Sequence, residues 1–402
     1  MDQGRSSVVA VSSTMRRDAR GPRERGQAFC AHISVRFVTS AIVALVVVAL
    51  VSSPAIMAEP PPLALDPGFR VELIAEGLGA PRMLAFDASG TLLVSIPSQG
   101  RIVAIPAARQ PEPLRSPVTV AEGLRLPHGI VVRDGYLWVA ETGRVLRFRY
   151  DVATRRATEP VVIVPDLPAG AHHWTRSIAF GPDGRLYVAI GSSCDVCREA
   201  DRRRAAIVSY APDGSSERIV ATGLRNPVGL AFHPTTRELW TTVNERDWRD
   251  GRAPPDFLSL VREGAGYGWP DCYTQSGALV PDPEFRGTGD CRSFTRPSIE
   301  LPPHAAPLGM AFYTGTQFPA TYRRNLFVAL HGSRPELPAA GYKLVRVVMA
   351  ANRQPRVEDF ATRWRVGNQV WGRPVDVLVA RDGALYVSDD HGGRVLRITF
   401  AR

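Results

Sequence analysis

Residues 169 to 192 read AGAHHWTRSIAFGPDGRLYVAIGS. From Ile178 onward this is a strand, a Pro-Asp-Gly turn and a second strand, with β-branched and aromatic side chains on either side of residues that supply turn conformations. The part before Ile178 is different. His172, His173, Trp174 and Arg176 stand where a connecting loop needs only small polar side chains.

The strand-turn-strand half recurs along the chain. Similar segments begin at Leu84 (LAFDASGTLLVS), Ile130 (IVVRDGYLWVA), Ile178 (IAFGPDGRLYVA), Leu230 (LAFHPTTRELWTT), Met310 (MAFYTGTQFPATYRRNLFVAL) and Val377 (VLVARDGALYVS). These six copies lie from the forties to about 80 residues apart, and the longest gap, between the fourth and fifth, holds an insertion. No stretch of the body carries the 3.6-residue periodicity of a long helix, so each copy reads as a small antiparallel sheet that cannot cover its own faces. Repeated units of that kind become stable by stacking. The reading is therefore all-β: a six-bladed β-propeller of four-stranded antiparallel blades over residues 59–402. FRVELIAEGL (69–78) supplies the strand that closes the ring on RVLRITF (394–400). A β-sandwich is the competing arrangement, but six similar units favour the ring, which leaves no exposed sheet edge.

The register of the copies says what the loop before Ile178 is for. With Phe86, Val132, Phe180, Phe232, Phe312 and Val379 set as equivalent, the residues seven positions earlier are Gly79, Arg125, His173, Arg225, Ala305 and Gly372. Those six positions earlier are Ala80, Leu126, Trp174, Asn226, Ala306 and Arg373. The strand that follows each loop is the innermost of its blade, so these positions ring one mouth of the central channel. His173, Arg225, Asn226 and Arg373, distant in the chain, are expected to meet there. A histidine takes a proton near neutral pH, an arginine stabilises developing negative charge, and an asparagine holds a fixed polar group. A base beside an anion stabiliser is what oxidation of an alcohol or aldehyde requires. His128 and His304 are further rim candidates, and His172 is read as a bystander.

The fourth copy carries NERDWRDGRAPPDFLSLVREGAGYGWPDCY (244–273). Acidic side chains among Gly and Pro turns suit a hard cation such as calcium, and Glu245, Asp247, Asp250 and Asp256 are the candidate ligands, although their spacing is not that of an EF-hand. A solvated acidic loop has the same composition.

The chain has five cysteines, of which Cys30 lies in the N-terminal segment. The remaining four suggest disulfides in an exported chain. Cys194 with Cys197 and Cys272 with Cys291 are the nearest of three possible pairings; the CxxC at 194–197 also has the form of a redox pair or half of a metal site. No histidine follows Cys197, which excludes a haem-attachment motif.

Residues 1–58 read as a basic region followed by a signal peptide or membrane anchor. Seven arginines in residues 1–36 precede an apolar run from Phe37 to Val51, and Ala58 closes a small-residue stretch. Export to the periplasm, with possible anchoring, is the expectation. The formal net charge of +10 is carried by arginine, Lys343 being the single lysine, and part of it sits in this N-terminal segment. Neither a clustered basic stripe nor a recognisable module supports nucleic-acid binding.

Four stretches carry a resemblance to a known family: HHWTRSIAFGPDGRLYVAIGSSCDVC (172–197), GLRNPVGLAF (223–232), the NERD loop leading to GYGWP (266–270), and GRPVDVLVARDGALYVSDDHGGRVLRI (372–398). Together they resemble the soluble glucose and sorbosone dehydrogenases over roughly residues 65 to 400, closer to the sorbosone-type branch. The resemblance implies a six-bladed propeller that uses pyrroloquinoline quinone (PQQ) with calcium. His173 would take the proton from a substrate hydroxyl or aldehyde hydrate while a hydride passes to the quinone. Arg225 and Asn226 would lie beside the cofactor, Arg373 would pair with its carboxylates, and the loop after Asn244 would offer carbonyls and acids to calcium. Two positions depart from the family pattern: Phe257 replaces an acidic ligand, and HGSR (331–334) lacks a lysine offered to the cofactor.

The sequence thus reads as a PQQ-dependent oxidoreductase acting on a sugar or sugar-derived aldehyde, with an electron acceptor of unspecified identity. Two alternatives stand beside it. A metal-dependent lactonase would need a carboxylate and asparagine shell where the first copies offer Arg82, Arg125 and His128. A non-catalytic binding propeller would show an aromatic or variable rim.

Overall fold

The computed structural model describes residues 63–106, 116–170, 172–248, 253–285, 290–349 and 355–401. The expected basic region and signal peptide or anchor at 1–58 lie outside them.

Each of the six copies begins the innermost strand of a blade. Blade 1 is Leu84–Phe86, Leu92–Ile96, Arg101–Ile105 and Val118–Ala121. Blade 2 is Ile130–Arg133, Tyr136–Glu141, Arg144–Asp151 and Arg156–Val164. In blade 3, Arg176–Phe180, Leu186–Ile190, Ala206–Tyr210 and Arg218–Thr222 are joined by a parallel outer strand, Ala265–Gly266. Blade 4 runs Pro227–Phe232, Leu239–Val243, Phe257–Leu260 and Ile299–Glu300. The expected insertion falls before its last strand, with a hairpin of Cys272–Gln275 and Ala278–Pro281. Blade 5 is Pro307–Phe312, Leu326–Leu330, Lys343–Val348 and Arg356–Thr362, with Ala64–Leu65 added outside. Blade 6 combines Pro374–Val379, Leu385–Asp389 and Arg394–Phe400 with Phe69–Ala75 from the other end of the chain, Phe69 opposite Phe400. The strand read as the ring closure is the one that closes it.

Burial follows from position in the blade. The second strand of each blade is covered on both faces by neighbouring blades, so LLVSI, LWTTV and LFVAL are buried without interruption and LYVAI is buried except for a half-buried Tyr187. Strands farther out meet solvent at one edge, and alternation returns, as in RVLRFRYD at 144–151. Among the described residues the apolar core is therefore six inter-blade clusters, one for each adjacent pair of blades around the ring, and a small seventh of Val228, Leu308 and Val375 from three innermost strands.

At the axis the innermost strands touch in a closed cycle. They are stitched by inter-blade hydrogen bonds: Gly129 N to Arg176 O at 2.8 Å, Thr242 Oγ1 to Leu308 O at 2.7 Å, and Leu84 N to Asp376 Oδ2 at 2.9 Å. The approach is too close for a side chain at some positions. A Cβ on Gly229 would lie 2.3 Å from Leu308 O, and one on Gly309 would lie 2.0 Å from Asp376 Oδ1. Backbone cannot yield there as a flexible side chain would. Gly229→Ala is expected to destabilise the propeller by about 1–3 kcal/mol, the range of overpacking in a close-packed core; equilibrium denaturant unfolding, read from the shift of the midpoint, checks this.

Candidate active site

The loops that enter the innermost strands all open on one mouth. The loop bearing His173 is held from below by Arg176, which is fully buried and donates from Nη1 to His173 O at 3.0 Å and Thr175 O at 2.6 Å, and from Nη2 to Pro168 O. Burial, with Arg204 nearby, pushes the Arg176 guanidinium down to about 9.

His173 is half-buried. Its Nδ1 lies 2.9 Å from Ser192 O and 3.0 Å from Ser192 Oγ. A carbonyl oxygen can only accept, so Nδ1 carries the hydrogen and Nε2 is left with its lone pair. Burial first, then the Arg225 charge, holds the imidazole well below its ordinary value. The ring is therefore neutral at pH 7, with Nε2 available as a base. His172 is exposed and stacks on this ring at 4.7 Å.

Two of the four expected rim residues converge on one point, and a third stands near them. A Cβ built on Gly191 would lie 2.4 Å from Asn226 Oδ1 and 2.6 Å from His173 Cβ, so both side chains converge on the same glycine. Arg225 is close enough to depress the His173 ring. It is 2% exposed, and its fork is heavily engaged. Nε donates to Asp195 O at 2.9 Å, Nη1 to Asn244 O at 3.1 Å and Glu245 O at 2.7 Å, and Nη2 to Asp195 Oδ1 at 2.6 Å. Although burial pushes the Asp195 carboxyl up, Arg225 and the Asp247 amide hold it below the usual range. Arg225 thus acts on the site as a fixed, paired charge that also bolts three loops together.

Arg373, the fourth, lies farther round the mouth. It donates to the carbonyls of His331, Gly332 and Ser333, within the segment where the sequence lacks the family lysine. Beside it, Asp390 accepts from His331 Nε2 at 2.9 Å and from Arg82 Nη1 at 2.7 Å. Burial pushes the His331 imidazole down to about 4. Arg82 in turn faces the ring of Trp174, 5.9 Å from its centroid. A cavity of about 310 Å³ opens here between Ala80, Leu126 and Trp174, three residues of the predicted register, with Arg82 and Asp390 also in its wall. His128 is buried against Trp174, and His304 donates from Nε2 to Trp248 O at 3.0 Å.

The acids do not gather as a carboxylate cage. Asp256 is buried, with Oδ1 accepting from Glu245 N at 2.7 Å and Oδ2 from Ala306 N at 2.8 Å. Asp247 accepts from Arg334 Nη2 at 2.7 Å, with its other oxygen 3.7 Å from His304 Nδ1. Glu245 alone of the three has a buried oxygen, Oε2, with no hydrogen-bond partner. Burial pushes Asp256 up to about 7 and Glu245 to about 8. Asp250 lies outside the described residues. Among the described residues only Cys194, Cys197 and Glu199 bring three potential ligand atoms together, and both sulfurs are spent in a disulfide. The second bridge is Cys272–Cys291, so both nearest-neighbour pairings are the ones formed.

Ser192, Asp195, Arg82, His331, Arg334 and Asp390 belong to this mouth and were not singled out as site residues in the sequence. Ser192 and Asp195 follow a second strand, and Asp390 ends one, so they fall outside the register of loops that enter innermost strands.

The TrAA12-like family model matches residues 63–251 and 256–400. The chain belongs to this family, the AA12-like group of soluble PQQ-dependent sugar dehydrogenases. A PQQ-dependent pyranose dehydrogenase of Coprinopsis cinerea is 29% identical over 400 residues, which cover 82% of this chain and 54% of that protein. The holo form of its PQQ domain superposes with a TM-score of 0.70 at 25% identity, covering 84% of this chain and 97% of the domain. An uncharacterized protein of Borreliella burgdorferi is 26% identical over 391 residues, 91% of this chain and 99% of that one. The calcium structure of Trichoderma reesei family AA12 has a TM-score of 0.73 at 21% identity, covering 85% and 98%, a likeness of fold alone.

The commitments of Asp256 can be checked directly. Asp256→Ala would leave the buried amides of Glu245 and Ala306 unpaired, and a destabilisation of about 2–4 kcal/mol is expected from two such losses. Denaturant unfolding should give the same figure in calcium and in a chelator; a loss seen only with calcium would mark Asp256 as a metal ligand instead.

Proposed function

We propose that the protein is a PQQ-dependent dehydrogenase that oxidises a sugar or sugar-derived aldehyde. The observation that carries this reading is His173: a neutral imidazole with its Nδ1 hydrogen fixed on Ser192 and its Nε2 bare, beside Arg225 and Asn226. The quinone, when bound, supplies the two-electron acceptor.

The residues present suit a quinone bearing carboxylates. Arg82, Arg225 and Arg373 give the mouth a cationic wall, and Asn226 Oδ1 is buried with no partner, as is Arg82 Nε. Arg373 and Asn226 would hold the cofactor. Nε2 of His173 takes the proton of the substrate hydroxyl, and the substrate carbon gives up its hydrogen with the bonding pair, leaving a carbonyl. Arg225 keeps the proton-accepting ring neutral beforehand, because its charge opposes imidazolium formation. Calcium fits the chain's own carboxylates less well. Both oxygens of Asp256 are committed to backbone amides and one of Asp247 to Arg334, which leaves Glu245 Oε2 as the buried, unpaired oxygen of the three, and no step is assigned to a metal. The same commitments weigh against a lactonase, which would need a carboxylate shell around its metal.

The relatives named for PQQ-dependent pyranose and aldose sugar oxidation support the substrate class. Export through the N-terminal segment and transfer of electrons to a separate acceptor complete the proposal.

Reconstitution with PQQ, with and without calcium, followed by dye reduction on a panel of aldoses and aldehydes, is the direct test. His173→Ala is expected to lower kcat by about 10²–10⁴-fold, the range of general-base catalysis; turnover that survives this change would overturn the assignment. The pH profile gives a second check. Because the ring loses its proton well below 6.5, kcat/KM should stay level from pH 8 down through 6.5 and fall only at lower pH. An acid limb centred at the ordinary histidine value would contradict the buried, Arg225-facing imidazole.

A further inference from the structure

The Cys194–Cys197 bridge lies in the connection between two middle strands of blade 3, Leu186–Ile190 and Ala206–Tyr210. Nothing in the blade itself calls for a disulfide there, since the strands on either side are already fully paired. What the bridge does is close a four-residue loop whose Asp195 reaches into the mouth. Asp195 O accepts from Arg225 Nε at 2.9 Å and from the indole of Trp269 at 3.1 Å. Its carboxylate accepts from Arg225 Nη2 at 2.6 Å and from Asp247 N at 3.2 Å, and stands 3.5 Å from Arg246 Nε. One residue therefore ties together the loop entering blade 4, the loop leaving its second strand, and the insertion.

The other end of the loop reaches the base. Ser192 is fully buried, its Oγ donates to Cys194 O at 2.7 Å, and its O and Oγ receive the Nδ1 hydrogen of His173. The loop is pinned again by Ser193, whose N and Oγ donate to Glu199 at 2.6 and 2.8 Å. A chain of contacts thus runs from the imidazole through Ser192 and the bridged loop to Asp195 and the guanidinium.

We propose that the Cys194–Cys197 loop is a brace for the site, in which Ser192 is the positioning residue of His173, Asp195 is the positioning residue of Arg225, and the disulfide keeps the two in register. The role of the brace in turnover rests on the proposed dehydrogenase reading, whereas its mechanical part does not. Neither Ser192 nor Asp195 touches the reacting atoms. Asp195 is the nearer counter-charge of a buried guanidinium, at 2.6 Å against 3.9 Å for Asp247, and Ser192 decides which nitrogen of the ring is bare.

The test compares the wild type with Asp195→Asn, Ser192→Ala, Ser192→Thr and the double variant Cys194→Ser/Cys197→Ser. Amide hydrogen exchange on the protein without added quinone comes first. In the Asp195 and double-cysteine variants, protection at 225–226 and 244–247 should fall about tenfold or more, as expected for loss of a charged hydrogen bond, while the strands Leu186–Ile190 and Leu239–Val243 keep theirs. A change confined to 194–197 would overturn the brace. Kinetics on the PQQ-reconstituted protein follow. Ser192→Ala should lower kcat about tenfold without changing PQQ affinity, and Ser192→Thr, which retains the hydroxyl, should restore most of it. Asp195→Asn should weaken PQQ binding instead. If the wild type binds no PQQ and oxidises no sugar while the exchange result holds, the brace stands and the dehydrogenase reading falls. If the wild type is active and the variants match it in exchange and kinetics, the reverse follows.

Discussion

The structure depends on how closely six innermost strands can approach one axis. Each blade is too small to bury both faces of its sheet, so it is stable only between two neighbours, and the ring exists only if every neighbour is in place. The strands meet at backbone distance near Gly229 and Gly309, where a Cβ would press on a carbonyl or a carboxylate of the next blade. That contact fixes the spacing of the blades, and the spacing fixes where the entering loops end. The mouth is a consequence of the axis, which is why residues as distant in the chain as Arg82 and Asp390 form an ion pair there.

Electrostatics then decides what the mouth can do. Two kinds of buried charge occupy it, and they are treated differently. Arg176 is met by carbonyl oxygens, which satisfy its donors while leaving the positive charge in place, whereas Arg225 adds the Asp195 carboxylate to the carbonyls of Asn244 and Glu245. Asp390 is met by the Arg82 guanidinium and by a hydrogen bond from His331, which hold it below the usual carboxylate range although burial pushes it up. The net result is a mouth whose guanidiniums can receive anionic groups and whose His173 and His331 stay neutral. A neutral base beside fixed cations is a consistent arrangement, because the charges that receive an anion are the same ones that keep the imidazole free to take a proton.

The fold was legible from the sequence because it is written six times. Strand, turn and strand recur with the same apolar and turn chemistry, and the strand at the start of the body, ahead of the six copies, is the one that closes the ring on the last. The part of the site that lies on entering loops was legible for the same reason: His173 and Arg225 occupy one equivalent position of the repeat, and Asn226 and Arg373 the next. Ser192, Asp195 and Asp390 do not. They sit where second strands end, and their importance comes from contacts with other blades, such as Asp195 with Arg225, that no single copy contains. The one available sign was the CxxC, which marked a loop under constraint without saying what it constrained.

The acidic segment shows the limit of reading ligands from residue type. Glu245, Asp247 and Asp256 have the composition of a hard-cation loop, but a carboxylate near irregular backbone has competing demands on its oxygens. Loops that turn sharply leave amides without strand partners, and a buried amide must be paired. Asp256 meets two such amides at once, and Asp247 meets a guanidinium supplied from residue 334. Both demands are invisible in a linear motif, because the amide of Ala306 and the side chain of Arg334 come from another blade. A carboxylate becomes a ligand only when the fold leaves its oxygens unclaimed, and in this segment Glu245, with Oε2 buried and unpaired, is the residue that meets that condition.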